Sequence, residues 1–314
     1  MDRKPISVKS YANIAIVKYW GKADAERMIP STSSISLTLE NMYTETKLSF
    51  LPEDATSDVM YIGDELQGEK ETTKASKVLD LFRTNPNQHV KIETWNNMPT
   101  AAGLSSSSSG LSALVKAANE LFQVGKTQSE LAQIAKFASG SSSRSFFGPL
   151  AAWDKDSGEV YPVETDLKLA MVMLVLTDQK KPVSSRDGMK LCTETSTSFP
   201  EWIKQSEQDY KDMLGYLKAN DFQAVGELTE ANALRMHQTT STANPPFSYL
   251  TDASYQAMDK VKALRASGEQ CYFTMDAGPN VKVLCLEEDL DRLADHFRKD
   301  YQVIVSRTKE LPDA

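Results

Sequence analysis

Five consecutive serines, Ser105, Ser106, Ser107, Ser108 and Ser109, stand between two segments of opposite periodicity, and that order restricts the folds open to the chain. Residues 90–94 alternate apolar and polar side chains, the spacing of a half-buried strand. Leu111, Leu114, Val115, Ala118, Leu121 and Phe122 recur at helical spacing and share one apolar face. The segment from Asn96 through Pro99 and Gly103 to Leu104 joins the two, so a strand, a small-residue loop and a helix are expected in immediate succession. Such a junction directs the unpaired N–H groups of the first helical turn outward, where the helix dipole favours an anion. Serine hydroxyls add rotatable donors, and Gly103 and Gly110 permit close backbone approach. A flexible linker has similar composition, but its place between a strand and a periodic helix favours a phosphate-binding loop.

The remaining pattern is α+β. Ile35, Leu37 and Leu39, then residues 44–50 and 59–62, read as strands of a mixed or antiparallel sheet, with a turn at Gly63 and Asp64. A helix is expected over 73–83. Residues 169–176 are the longest buried-strand candidate and are expected to close a first domain. Helices follow over 200–218, 221–236 and 252–266, the last stopped by Gly268, and strands 270–275, 281–286 and 303–305 flank a helix over 290–297. A chain of 314 residues exceeds the usual span of one core, so two domains, 1–180 and 181–314, sharing a cleft are expected. Gly125, Lys126 and Thr127 look like the end of a P-loop, but the first glycine of that motif would fall on Glu120. Gly125 as a helix-ending glycine, with Thr127 and Glu130 as a capping box, accounts for the stretch better.

Composition narrows the function. A formal net charge of −8, with no lysine-rich run, argues against a nucleic-acid partner. The three cysteines form no CxxC pair and the three histidines are scattered, so neither a disulfide framework nor a zinc site is expected. No apolar run approaches the length of a membrane span and no secretory leader is evident, which predicts a cytoplasmic protein without a membrane partner.

Four further stretches carry candidate chemistry. Lys18, Tyr19, Trp20, Gly21 and Lys22 follow an apolar strand and suit a pocket for an anionic small molecule, or else a strand edge with exposed lysines. Ser139, Gly140, Ser141, Ser142 and Ser143 form a second small-residue loop ending in Arg144, whose planar fork matches phosphate or carboxylate oxygens. Residues 178–188, with Lys180, Ser185 and Arg186, read as a loop after the most buried strand. Asp276 ends an apolar strand before Gly278 and Pro279, where it is either a desolvated general base or the cap of its own turn. A serine hydrolase using His237 would need a G-x-S-x-G elbow, which the sequence lacks.

In this order, Ala12–Ala15 with Lys18 to Lys22, Pro99 to Leu104 with its serines, Ser139 to Arg144, Ser184 to Met189, and Asp276 to Asn280 resemble the diphosphomevalonate decarboxylases. That family belongs to the superfamily of galactokinase, homoserine kinase, mevalonate kinase and phosphomevalonate kinase. The Gly-Glu-His tripeptide typical of the kinases near their start is absent, which favours the decarboxylase branch. The resemblance implies an N-terminal domain like domain 2 of ribosomal protein S5 and a ferredoxin-like C-terminal domain. It implies ATP and Mg²⁺ as cofactors, mevalonate 5-diphosphate as substrate, and a homodimer. By matching position, Asn96, Gly103 and Ser105 to Ser109, Ser107 above all, are expected at the ATP phosphates. Tyr19, Trp20, Gly21, Lys22, Ser139, Gly140, Ser141, Arg144, Ser185 and Arg186 are expected at the substrate, with Asp276 and Lys18 catalytic. Lys18, Lys22, Lys180, Arg144 and Arg186 would offset the charge of two phosphate-bearing ligands, each close pair being worth about 4 kcal/mol at an effective dielectric of 20.

Overall fold

The computed structural model describes residues 4–24, 26–98, 106–177, 179 and 181–311. Gly103, Ser105, Lys180 and the side chain of Ser106 lie outside the described residues.

Strand β1 (Ile6–Val17), the short hairpin β2 (Lys22–Asp24) and β3 (Ile29–Pro30), and β4 (Ser34–Phe50) open the chain. The two separate strands expected around residues 35–50 are thus one continuous strand, long enough to pair with β1 on one edge and with two shorter strands on the other. Next come β5 (Val59–Ile62), β6 (Glu65–Leu66), helix α1 (Glu69–Leu79) and β7 (Val90–Asn96). Helix α1 starts four residues earlier than the expected 73–83, and Arg83 leaves it to form a buried ion pair with Asp58 at 2.6 Å. β5 runs parallel to β7, and the other pairings of the first sheet are antiparallel.

Helix α2 (Ser106–Leu121) begins within the serine run, as its periodicity requires. It ends before Gly125: Gln123 takes the left-handed conformation, φ +55°, and the Val124 N–H closes on the Asn119 carbonyl at 3.1 Å. Gly125, expected as the terminator, takes a second left-handed turn. Thr127 and Glu130 form the expected capping box of α3 (Gln128–Ala138). The second small-residue loop is a buried 3₁₀ helix, Gly140–Phe146, followed by β8 (Leu150–Trp153) and β9 (Val160–Pro162).

β10 (Leu169–Val175), expected to close a first domain, is not a strand of the first sheet. It lies inside a second sheet ordered β13–β10–β12–β11, formed with β11 (Tyr272–Met275), β12 (Val281–Leu286) and β13 (Gln302–Arg307). Helices α4 (Ser185–Thr195), α5 (Phe199–Lys218), α6 (Phe222–Ser241) and α7 (Asp252–Ala266) fill the connection from β10 to β11, and α8 (Leu290–Arg298) that from β12 to β13. This is the β–α–β–β–α–β layout of a ferredoxin-like unit. Helix α4 occupies a stretch expected to be loop; Ser184 caps it by accepting the Asp187 N–H, and Met189 and Cys192 are buried beneath it.

Both faces of β10 are covered, hence its continuous apolar run. Leu169, Met171 and Met173 face a core shared with β1, β4, α5 and α6, while Ala170, Val172 and Leu174 pack toward α7 and α8. The first of these cores joins the two sheets, so the groups projecting from each are held in fixed relation. Among the described residues, no helix is long and apolar enough to cross a membrane.

Candidate active site

β1 delivers its last residues into the seam between the sheets. Lys18 follows Val17 directly and is only 2% exposed. Its Nζ donates to the Ala15 carbonyl at 2.6 Å and to Asp276 Oδ1 at 2.8 Å. Asp276 stands just past β11, and the turn through Ala277, Gly278 and Pro279 fixes its backbone, with Gly278 N–H closing on the Asp276 carbonyl at 2.7 Å. Its second oxygen, Oδ2, lies 3.0 Å from Lys282 Nζ. Burial alone would raise the carboxyl pKa, but the two ammonium groups reverse the effect and hold it well below the ordinary carboxylate range. Burial wins at Lys18, lowering its pKa to about 8 despite the carboxylate beside it. Asp276 is therefore an anion clamped between two cations, rather than the cap of its own turn.

Arg144 projects from the 3₁₀ helix, 2% exposed, with Nη1 on Ser34 Oγ and no carboxylate partner among the described residues. Desolvation lowers its pKa to about 10. Asn13 Nδ2 holds that helix in place by donating to Ser141 O at 2.9 Å and Ser145 Oγ at 2.8 Å. Lys181 donates to Ser185 Oγ at 2.6 Å and to the Ala277 carbonyl at 2.5 Å, bridging the start of α4 to the Asp276 turn. Lys22 and Arg186 also form no ion pair among the described residues. A buried guanidinium without an anion is costly, so this group of cations is arranged for an anion from outside.

One cleft of about 1210 Å³ reaches these groups. Of the expected site residues, Lys18, Tyr19, Trp20, Lys22, Asn96, Ser107, Ser139, Gly140, Ser141, Arg144, Ser185, Arg186 and Asp276 all line it. Three do not. Ser108 and Ser109 point inward from the first turn of α2 and are wholly buried, Ser109 Oγ meeting Thr44 Oγ1 at 2.7 Å. Gly21 lies behind the cleft at φ +111°, where a Cβ would come within 2.5 Å of Phe199 Cζ. The indole N–H of Trp20 is taken by Thr239 Oγ1 at 2.9 Å.

The sequence carries two family patterns that together span most of the chain. Residues 10–161 match the diphosphomevalonate decarboxylase-like N-terminal domain, and residues 171–312 match the mevalonate 5-diphosphate decarboxylase C-terminal domain. The chain belongs to the diphosphomevalonate decarboxylase family. Diphosphomevalonate decarboxylase of Candida albicans is 31% identical over 94% of this chain and 88% of its own length. Mevalonate pyrophosphate decarboxylase of Streptococcus pyogenes is 67% identical, superimposes with a TM-score of 0.97, and is covered over 99% of its length by 100% of this chain. Another solved decarboxylase, 40% identical with a TM-score of 0.89 and 98% of each chain covered, is a complex with MVAPP, the ATP analogue AMPPCP and magnesium.

In this decarboxylase, Lys282 and Lys181 were not singled out from the sequence. Lys282 carried a signal, being the one charged residue of the six-residue apolar strand β12. Lys181 lay beside Lys180 in a stretch where either could face the cleft. His237 is on a helix, as expected, and among the described residues neither ring nitrogen has a hydrogen-bond partner, so no serine–histidine pair is present among them.

Proposed function

We propose that this chain catalyses the ATP-dependent decarboxylation of mevalonate 5-diphosphate to isopentenyl diphosphate, releasing ADP, phosphate and carbon dioxide. The observation that carries this reading is the convergence, in one cleft, of Ser107 at the start of α2, Arg144, which meets no carboxylate among the described residues, and the Lys18–Asp276 pair, with Lys282 behind it. Family membership supports it.

Tyr19, Lys22, Ser139, Ser141, Arg144, Ser185 and Arg186 would hold the diphosphate and carboxylate of the substrate. Ser107 and the backbone at the start of α2 would meet the ATP phosphates, whose charge the helix N-terminus favours. Asp276 is too weak a base to retain a proton at neutral pH, so its part is to accept the hydrogen bond of the 3-hydroxyl and aim that oxygen at the γ-phosphorus. The γ-phosphoryl group passes from ATP to that oxygen while the hydroxyl proton goes by way of Asp276 to the phosphoryl oxygens, so a poor leaving group becomes phosphate that carries the proton away. Its departure leaves positive character at the tertiary carbon, the electrons of the C–CO₂⁻ bond form the alkene, and carbon dioxide leaves. Lys18 and Arg144 stay fixed throughout and offset the negative charge gathered there.

Mg²⁺ fits this donor set in one way. Among the described residues no cluster of three acidic or imidazole ligands exists, so nucleotide oxygens and the Ser107 hydroxyl would hold it, where it neutralises phosphate charge. Carboxyl-labelled mevalonate 5-diphosphate decides the reading: equal yields of ADP and labelled carbon dioxide are expected, whereas ADP without carbon dioxide would mean a kinase.

A further inference from the structure

Lys282 is an ammonium group that the packing of its own strand does not call for. Its neighbours on β12 are Val281, Val283, Leu284, Cys285 and Leu286. It pairs across the sheet with Thr274 of β11 and Met173 of β10, and it is wholly buried. A buried lysine needs a partner. Here that partner is Asp276 Oδ2 at 3.0 Å, while the opposite oxygen is already bonded to Lys18. Two buried ammonium groups therefore share one carboxylate, and a single anion does not neutralise both. The charged groups nearest Asp276 come from every surrounding element: Lys18 after β1, Lys282 on β12, Arg144 on the 3₁₀ helix and Lys181 before α4, with His237 of α6 kept neutral by burial.

We propose that Lys282 is a positioning residue for the decarboxylation: its ammonium group stands against Oδ2 so that the exposed edge of Asp276 faces the substrate hydroxyl. The inference rests on the functional reading above. Two consequences follow from geometry. Lys18 is hydrogen-bonded to Oδ1 and Lys282 stands in ionic contact with Oδ2 outside hydrogen-bonding angles, so the carboxylate is held between two charges and its acceptor direction is set before substrate arrives. With a second cation across the same carboxylate, Lys18 holds its proton less tightly than in a simple ion pair, and the repulsion from Lys282 acts in that sense. An ion pair that served stability alone would produce neither effect.

The test compares Lys282→Met, Lys282→Gln and Lys282→Arg with the parent enzyme, following kcat and KM for mevalonate 5-diphosphate from about pH 6 to about pH 10. Met and Gln remove the charge. They are expected to lower kcat by about 10-fold or more, leave KM within a few-fold, and move the alkaline limb of kcat upward by about one pH unit. Arg keeps the charge and is expected to retain the parent limb and most of kcat. An unmoved limb in either folded neutral variant overturns the proposal. So does an Arg variant as impaired as Met. A parent enzyme that releases no carbon dioxide would instead sink the functional reading, and the position of the limb would have no bearing on that outcome.

Discussion

Asn232 and Lys18 are joined by a hydrogen bond of 2.8 Å although 214 residues separate them. Asn232 Oδ1 accepts the Lys18 backbone N–H, and its Nδ2 donates to Asp209 Oδ2 at 2.7 Å. Arg235 reaches the same Asp209 oxygen. Helices α5 and α6 thereby hold the exit of β1 and set the height at which Lys18 meets Asp276. Asn232→Leu strands the buried Lys18 N–H and leaves Arg235 as the remaining donor to Asp209 Oδ2, a cost of about 1–3 kcal/mol. Urea unfolding should register that loss, and kcat should fall further than KM rises; an unchanged midpoint would mean that the bond contributes nothing.

Asp276→Asn keeps the shape and removes the charge. Substrate affinity should stay within a few-fold, while turnover should drop by at least about 10²-fold. Single-turnover release of carbon dioxide separates the two quantities. Near-normal turnover would take Asp276 out of the mechanism.

Lys18 sets an alkaline limit. Burial lowers its pKa from 10.5 to about 8, so it loses its proton as pH rises through about 8. If its ammonium is needed, kcat should decline across that point, two units or more below the range of an exposed lysine. A kcat that stays flat up to pH 10 would show that the charge on Lys18 is dispensable.

His237 sets an acid limit on stability. Burial lowers its pKa from 6.5 to about 3, so the unfolded chain takes up a proton that the folded protein refuses until about pH 3. The associated stability is complete above pH 6.5 and is lost as pH falls toward 3, a change of about 3–5 kcal/mol over the window. Urea midpoints at pH 7, 6 and 5 should fall in the parent and fall less in His237→Leu. Parallel slopes in the two proteins would assign the acid sensitivity elsewhere.

Gly140→Ala tests the substrate end. A Cβ there would lie 2.9 Å from both Tyr19 Cε1 and Trp153 Cζ3, two rings whose centroids are 5.0 Å apart. Trp153 is wholly buried, so Tyr19 must move. KM for mevalonate 5-diphosphate should rise by about 10-fold or more with a smaller change in the KM for ATP. Equal effects on both would show that Tyr19 does not serve the substrate.

Local chemistry was readable along the chain wherever one segment decided the outcome. The capping box at Thr127, the helix of residues 252–266 and the strand of residues 281–286 carry their signals in neighbouring residues, and they stand where those signals put them. Errors arose where a distant partner intervened. Ser184 starts α4 because Tyr249, whose hydroxyl donates to its carbonyl at 3.0 Å, and the buried face below fold onto it. β10 looked like the end of the first unit because its apolar run says only that both faces are covered, not by what.

The same division runs through the site. Ser107, Gly140, Arg144 and Asp276 could be named as candidates from residue type and order, and they line one cleft, whereas Gly21 lies behind it. The pairing of Asp276 with Lys18 and Lys282, the inward turn of Ser108 and Ser109, and the choice of Lys181 were decided only in three dimensions. Charge and burial act through space. A lysine in an apolar strand acquires its meaning only when the sheet brings a carboxylate to its tip.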